Sequence, residues 1–305
     1  MRNQLCTSLV RRSNNPNMVF LTADLGFMAL EPLRDALGPR FINAGVAEQN
    51  MVSVAAALVR EGLEAWTYTI APFCYARAFE QIRNDVCLHE LPVKLLGNGG
   101  GYGYGVMGAT HHALEDYGVL LTLPEMRVFV PAFDEDVAAV VERAGALSHP
   151  CYVRLGRGEI PPGWPATTYA PWRKLLDGGG AATVAVGPMA GVALGALFDL
   201  PEHERPELWA VTELPLVSNP PPPELMHELD RRRSLCVIEE HVAHGSVGQS
   251  LVAWAVEHGV QVSGFRHLAA RPSASRNYGS QAFMRRQTGL DSEAIRRAAI
   301  GATRQ

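Results

Sequence analysis

Glu48 lies in the run FINAGVAEQNM, residues 41–51, with small and apolar residues on both sides. An unpaired buried carboxylate is costly. Either this acid points to solvent, or a specific group nearby needs it. Glu48 falls at the head of a helix predicted over 47–61, where a carboxylate gains from the helix dipole. That helix also carries Ala47, Ser53, Ala55, Ala56 and Ala57, small residues that let another backbone approach closely. An acid shielded there suits a carboxyl that shares a proton with a weakly basic ring nitrogen.

Other residues could join such a site. His111, in GATHH, follows the Gly-rich loop GNGGGYGYGVMG (97–108) at the end of a predicted strand, and His112 follows it. An imidazole there can donate or accept a proton near neutral pH. Phe73 is either a core residue on an amphipathic helix or a flat platform for a heteroaromatic ring. Asp24, in TADLG, either caps a helix starting near Gly26 or faces a ligand with Leu25. Arg157, in YVRLGRG, is either solvated at a strand end or set to bind phosphate. The Gly-rich loop contains no clean G-x-G-x-x-G with a ribose-binding acid beyond it. It reads instead as a mobile loop over a substrate mouth, with Tyr102 and Tyr104 as side walls.

These residues need a scaffold that gathers loops at one edge. The first half alternates apolar runs with helical patterns. Strands are predicted at 18–23, 41–45, 64–70, 91–97, 126–131 and 151–156. Helices are predicted at 26–37, 47–61, 71–89, 112–123 and 134–147. This rhythm predicts an α/β fold with a parallel sheet covered on both faces. The Pro-rich segment 158–172 breaks the period and reads as a linker. A second alternation follows, with strands at 182–187, 207–211, 234–240 and 261–268. Two α/β domains, each a mostly parallel sheet flanked by helices, are expected at 1–160 and 181–305, joined by a linker at 161–180.

Bulk properties exclude several function classes. A net charge of −4 over 305 residues gives no basic footprint for nucleic acid. No apolar run is long enough for a bilayer, and the start MRNQLCTSLVRRS lacks the apolar core of a secretory signal. The five cysteines, Cys6, Cys74, Cys87, Cys151 and Cys236, form no C-x-x-C pair, so neither a disulfide framework nor a zinc site is indicated. A cytoplasmic location is expected.

The blocks RFINAGVAEQNMVSVAAAL, APFCYARAFEQIRNDV, GATHHALED and LPEMRVFVPAFDED occur in the order and spacing of the pyrimidine-binding domain of transketolases. They resemble, more distantly, deoxyxylulose phosphate synthases. The later CVIEEHVAHGSVGQSLVAWAVEHG is similar to the third domain of the same family, so the resemblance covers nearly the whole chain. It implies thiamine diphosphate chemistry, with the cofactor as electron sink while a carbon–carbon bond breaks. It places Glu48 on the aminopyrimidine ring nitrogen, Phe73 on the ring face, Ile70 at a second pocket position, and Asp24 and Leu25 in a turn near the cofactor. It gives His111 a role in substrate contact and proton transfer, and Arg157 and Arg2 roles in binding substrate phosphate. His112 stands where relatives usually have Gln, and Met107 where they have Asp.

The departures from the family are equally informative. No GDG signature for diphosphate and Mg2+ occurs, so the chain resembles the C-terminal subunit of a split transketolase. That implies an N-terminal partner supplying the diphosphate and magnesium ligands, with none on this chain, in a paired assembly of two of each. Gly99 replaces a family His near substrate phosphate, and Met28 a phosphate-binding Ser. A site stripped of polar groups discriminates poorly for hydroxyls or phosphate, so an atypical, less polar sugar or aldehyde substrate is expected. Two rivals remain: a beta subunit of a 2-oxo acid dehydrogenase, and a non-catalytic scaffold. Where the first carries H-S-Q, this chain reads THHALED.

Overall fold

Most strand residues of the first half are buried, as a sheet covered on both faces requires. The computed structural model describes residues 1–272 and 277–303. Helix α1 (Arg2–Arg12) leads into β1 (Met18–Thr22), α2 (Glu31–Leu37), β2 (Phe41–Asn43), α3 (Glu48–Arg60) and β3 (Glu64–Ile70). A helical stretch follows, with π-helical turns at Phe73–Arg77 and Ile82–Cys87 on either side of α4 (Phe79–Gln81). Next come β4 (Lys94–Asn98), α5 (Asp116–Leu120), β5 (Arg127–Phe129), α6 (Val137–Ala146) and β6 (Cys151–Leu155).

The second half comprises β7 (Trp172–Leu176), β8 (Ala182–Val186), α7 (Met189–Leu197), β9 (Glu207–Val211) and β10 (Glu213–Leu214). It continues with α8 (Pro223–Arg232), β11 (Ser234–Glu239), α9 (Val247–Glu257), β12 (Gly264–Ala269), α10 (Gln281–Thr288) and α11 (Ser292–Thr303).

Two mostly parallel sheets result. The first runs β10–β5–β6–β4–β3–β1–β2 and the second β12–β11–β8–β9–β7. Among the described strand pairs, β10 against β5 and β7 against β9 are antiparallel and the rest parallel. Successive strand residues face opposite layers. Phe20 and Leu96 pack with Leu5, Leu9 and Leu33 on one side of the first sheet. Leu21 and Leu95 pack with Met51, Val52 and Ile82 on the other. That second layer is continuous with Val184, Val211 and Val237 of the second sheet, so the two sheets share one apolar core.

Several local features differ from the sequence expectation. The helix expected over 26–37 starts only at Glu31, because Asp24 and Met28 adopt positive φ of 53° and 60° and turn the chain first. The helix expected over 71–89 is broken by its two π-helical turns. Strand β7 lies within the stretch 161–180 and pairs with β9 from Trp172↔Val211 onward. Strand β10 crosses from the second half to pair with β5.

The Gly-rich loop is pinned rather than free. Gly99 and Gly100 donate backbone hydrogen bonds to Leu155 O at 3.0 and 2.9 Å, and Gly101 pairs with Ala113 in both directions. Tyr102 is 0% exposed, with its hydroxyl between Arg271 N and O, so it is a core residue and not the side wall expected from sequence. The second half closes over it, which no local pattern announces.

Candidate active site

The carboxyl edge of a parallel sheet gathers the loops that follow its strands. Thr22, Asn43, Ile70, Asn98 and Leu155 end β1, β2, β3, β4 and β6 there, and the candidate residues follow them. Glu48 opens α3 on the loop after β2 and is only 2% exposed. It is buried, as the sequence suggested, but it has partners within the chain. Thr69 Oγ1, on β3, donates to its Oε1 at 3.3 Å, and Arg77 Nη1 donates to its Oε2 at 2.6 Å.

Phe73 stands on the first π-helical turn, half-buried. Side chains four positions apart on a helical turn face the same way, and Arg77 lies over the Phe73 ring at 4.2 Å from its centroid. The His111 ring meets Phe73 edge-on, with centroids 5.2 Å apart. His111 Nδ1 is 2.9 Å from Thr110 Oγ1, and its ring is 6.4 Å from that of Tyr104. Glu48, Arg77, Phe73, His111 and Tyr104 thus form one contiguous chain of contacts.

A second group adjoins it through Tyr104, whose hydroxyl accepts from Asn98 Nδ2 at 2.6 Å. A cleft of about 560 Å3 has Arg2, Arg157, Asn98 and Tyr104 in its lining, together with the acids Asp134 and Glu159. Both arginines are exposed, so their guanidinium groups are free to meet an anion. A smaller cavity of about 180 Å3 shares Arg2, Asn98 and Tyr104 and adds Asp24, Leu25 and Tyr68. Asp24 is fixed by Asn43, whose Nδ2 donates to Asp24 Oδ1 at 2.9 Å while its own Oδ1 accepts from Asp24 N at 3.1 Å. Arg2 thus lines one cavity with Asp24 and Leu25 and the adjoining cleft with Arg157.

Three candidates sit differently. Ile70 is half-buried at the end of β3, opposite Asn98. Met107 is 51% exposed on a one-turn 3-10 helix, Gly105–Met107, between the Gly-rich loop and His111. His112 points away from solvent at 6% exposure, edge-on to the Tyr102 ring at 5.1 Å and beside the backbone of Gly105. Burial holds its proton affinity below the ordinary histidine value. Gly99, with φ +79°, leaves no room for a side chain, since a Cβ there would run into the Tyr104 ring.

The loop that carries His111 is anchored from behind. Arg154, on β6, is 4% exposed and donates to Asp116 Oδ2, Ala113 O and Glu240 O, each at 2.8 Å. Asp116 also accepts from Tyr152 OH at 2.9 Å. Burial alone would lower the proton affinity of Arg154, but Asp116 and its neighbours raise it. Glu240 in turn takes two hydrogen bonds from Arg285 at 3.1 and 3.0 Å.

Sequence reasoning missed Arg77, Thr69, Asn98 and Arg154. The available signal for Arg77 was its spacing of four from Phe73. Its pairing with Glu48, 29 residues away, arises only when α3 and the 73–77 turn pack on β3.

Comparison with known proteins identifies the family. Residues 8–162 match the family model described as transketolase, pyrimidine binding domain. The chain is 29% identical to one of the subunits of the apulose-4-phosphate transketolase of Actinobacillus succinogenes, over 92% of this chain and 91% of that protein. It is also 29% identical to 1-deoxy-D-xylulose-5-phosphate synthase of Myxococcus xanthus, over 94% of this chain but only 49% of that longer protein. A solved structure described as split gene transketolase, inactive beta4 tetramer, superposes with a TM-score of 0.82 at 28% identity, covering 99% of this chain and 98% of that one. The buried acid, the adjacent aromatic ring and the histidine loop thus lie within a matched domain, and the chain belongs to the transketolase family, with the likeness of a C-terminal subunit of a split transketolase.

Proposed function

We propose that this chain supplies the pyrimidine side of a thiamine diphosphate site in a two-component transketolase. The observation that carries the reading is Glu48, 2% exposed at the head of α3, beside Phe73 and His111 at the carboxyl edge of the first sheet. The donor set fits the pyrimidine end of the coenzyme. A shielded carboxylate suits a ring nitrogen, and a flat apolar ring suits a heteroaromatic face. Among the described residues, no group of three or more His, Cys, Asp and Glu side chains is placed to hold a metal. In this reading the diphosphate and Mg2+ belong to an N-terminal partner subunit, because the sequence carries no GDG signature, and the assembly holds two of each chain.

Thiamine diphosphate, when bound, supplies an electron sink for breaking the bond beside a ketose carbonyl. In this reading Glu48 holds the pyrimidine ring nitrogen and manages its proton, and Phe73 fixes the ring plane with Ile70, Asp24 and Leu25 nearby. His111 reaches substrate oxygens and moves a proton there. Arg157 and Arg2 bind a phosphate in the 560 Å3 cleft, and Met107 and His112 shape the remainder. The overall reaction is transfer of a two-carbon ketol unit from a ketose phosphate to an aldehyde. The name of the Actinobacillus relative, an apulose-4-phosphate transketolase subunit, supports a phosphorylated sugar as substrate. Gly99 and Met107, in place of polar family residues, support an acceptor other than an ordinary pentose phosphate.

The test is reconstitution with the N-terminal partner, thiamine diphosphate and Mg2+. Ketol transfer is expected, and Glu48→Gln should lower it by at least about a hundredfold, the usual scale for a lost acid–base group. Undiminished transfer by that variant would make the chain a scaffold. Decarboxylation of 2-oxo acids without ketol transfer would move it to the dehydrogenase reading.

A further inference from the structure

The two groups that the proposed function reserves for the coenzyme's pyrimidine, the Glu48 carboxylate and the Phe73 ring, are both engaged by one side chain of this protein. Arg77 Nη1 donates to Glu48 Oε2 at 2.6 Å, while its guanidinium carbon sits 4.2 Å from the Phe73 centroid. A guanidinium is flat, delocalised and edged with N–H donors. An aminopyrimidine presents the same features: a plane to stack and a nitrogen edge to hydrogen-bond an acid. The match is in chemistry as well as position.

The two partners also differ in freedom. Glu48 is 2% exposed and fixed at the head of α3, whereas the Arg77 side chain is 41% exposed. Arg77 has a path to solvent and Glu48 has none. Removing a charge from one side of a buried pair leaves the other uncompensated, so Arg77 stabilises the chain by covering Glu48.

We propose that Arg77 is a displaceable surrogate for the pyrimidine edge, a positioning residue that keeps the acid and ring in place and must swing out to solvent for the coenzyme to bind. This rests on the proposed function. It predicts effects of opposite sign, which a merely structural arginine would not give. Arg77→Met should lower the melting temperature of the isolated chain. In the complex with the N-terminal partner and Mg2+, the same variant should bind thiamine diphosphate at least about tenfold more tightly by calorimetric titration. Arg77→Lys, which keeps the charge but not the flat donor edge, should fall between.

A second measurement needs no variant. Adding thiamine diphosphate to the wild-type complex should increase labelling of Arg77 by phenylglyoxal, read by peptide mass spectrometry. Wild-type binding with unchanged or weaker affinity in Arg77→Met, or protection of Arg77 from labelling by the coenzyme, overturns the inference alone. Failure of the wild-type complex to bind thiamine diphosphate overturns the function reading and this inference with it.

Discussion

Tyr117, on α5 behind the first sheet, donates its hydroxyl to Glu239 Oε2 at 2.5 Å, at the end of β11 in the second sheet. Both residues are fully buried, and Glu239 also accepts from Val247 N, Gly248 N and His267 Nε2. The stacked rings of Tyr117 and His241, 3.8 Å apart, extend the same contact. The two halves of the chain are therefore joined by a satisfied polar cluster within their common apolar core. Tyr117→Phe keeps the ring and deletes one bond. It should cost ~1–3 kcal/mol in urea unfolding, the range for a buried acceptor losing its donor. A loss below about 0.5 kcal/mol would mean that the bond contributes nothing net to the joint.

Arg154 and Asp116 form a buried pair that holds the His111 loop through Ala113 O. Arg154→Met strands a buried carboxylate and should cost ~3–5 kcal/mol. Adding Asp116→Asn removes that stranded charge, so the double variant should lose clearly less than the sum of the two single losses. Additive losses in chemical denaturation would show that the two charges act independently.

The Gly99–Tyr104 contact makes a sharper case. Gly99→Ala places a Cβ against the Tyr104 ring at a backbone φ of +79°, and the left-handed conformation alone costs about 1–2 kcal/mol. Combining it with Tyr104→Ala removes the clash and leaves the backbone term, so part of the stability should return. A double-mutant cycle with no coupling would place the ring elsewhere in solution.

His112 and His241 give the protein a pH dependence with a definite sign. Burial lowers the proton affinity of both in the folded chain relative to the ordinary histidine pKa of 6.5. As pH falls through 6.5 the unfolded chain takes up protons that the folded chain refuses, so stability falls; above 6.5 both states are neutral there and the contribution is flat. Each histidine adds a slope of up to about 1.4 kcal/mol per pH unit within that window. His112→Gln should flatten the decline measured by urea midpoints between about pH 7.5 and about pH 5.5. An unchanged slope would show that His112 does not contribute.

The sequence revealed the alternation of strands and helices because buried parallel strands are apolar runs and their cover helices are amphipathic. Glu48, Phe73 and His111 are grouped by the resemblance of four spaced blocks to one family, and the structure links them in space through Arg77. What the sequence hid was non-local. Nothing around Tyr102 in the Gly-rich run announces that Arg271 closes over its hydroxyl. Strand β7 follows a Pro-rich segment with no period, and the two residues of β10 carry no pattern at all. Arg77 reads as one more charge on a helix until the packing of α3 against β3 brings Glu48 beneath it.

Strand β10 has a consequence for anyone cutting this chain. Glu213 and Leu214 cap the outer side of β5 by pairing with Phe129 and Val128. A fragment ending at residue 160 would leave that rim bare, with backbone donors and acceptors facing water beside an apolar sheet. Bare rims of this kind recruit other chains. Such a fragment is expected to come out of expression as insoluble material or as ladders of self-associated species.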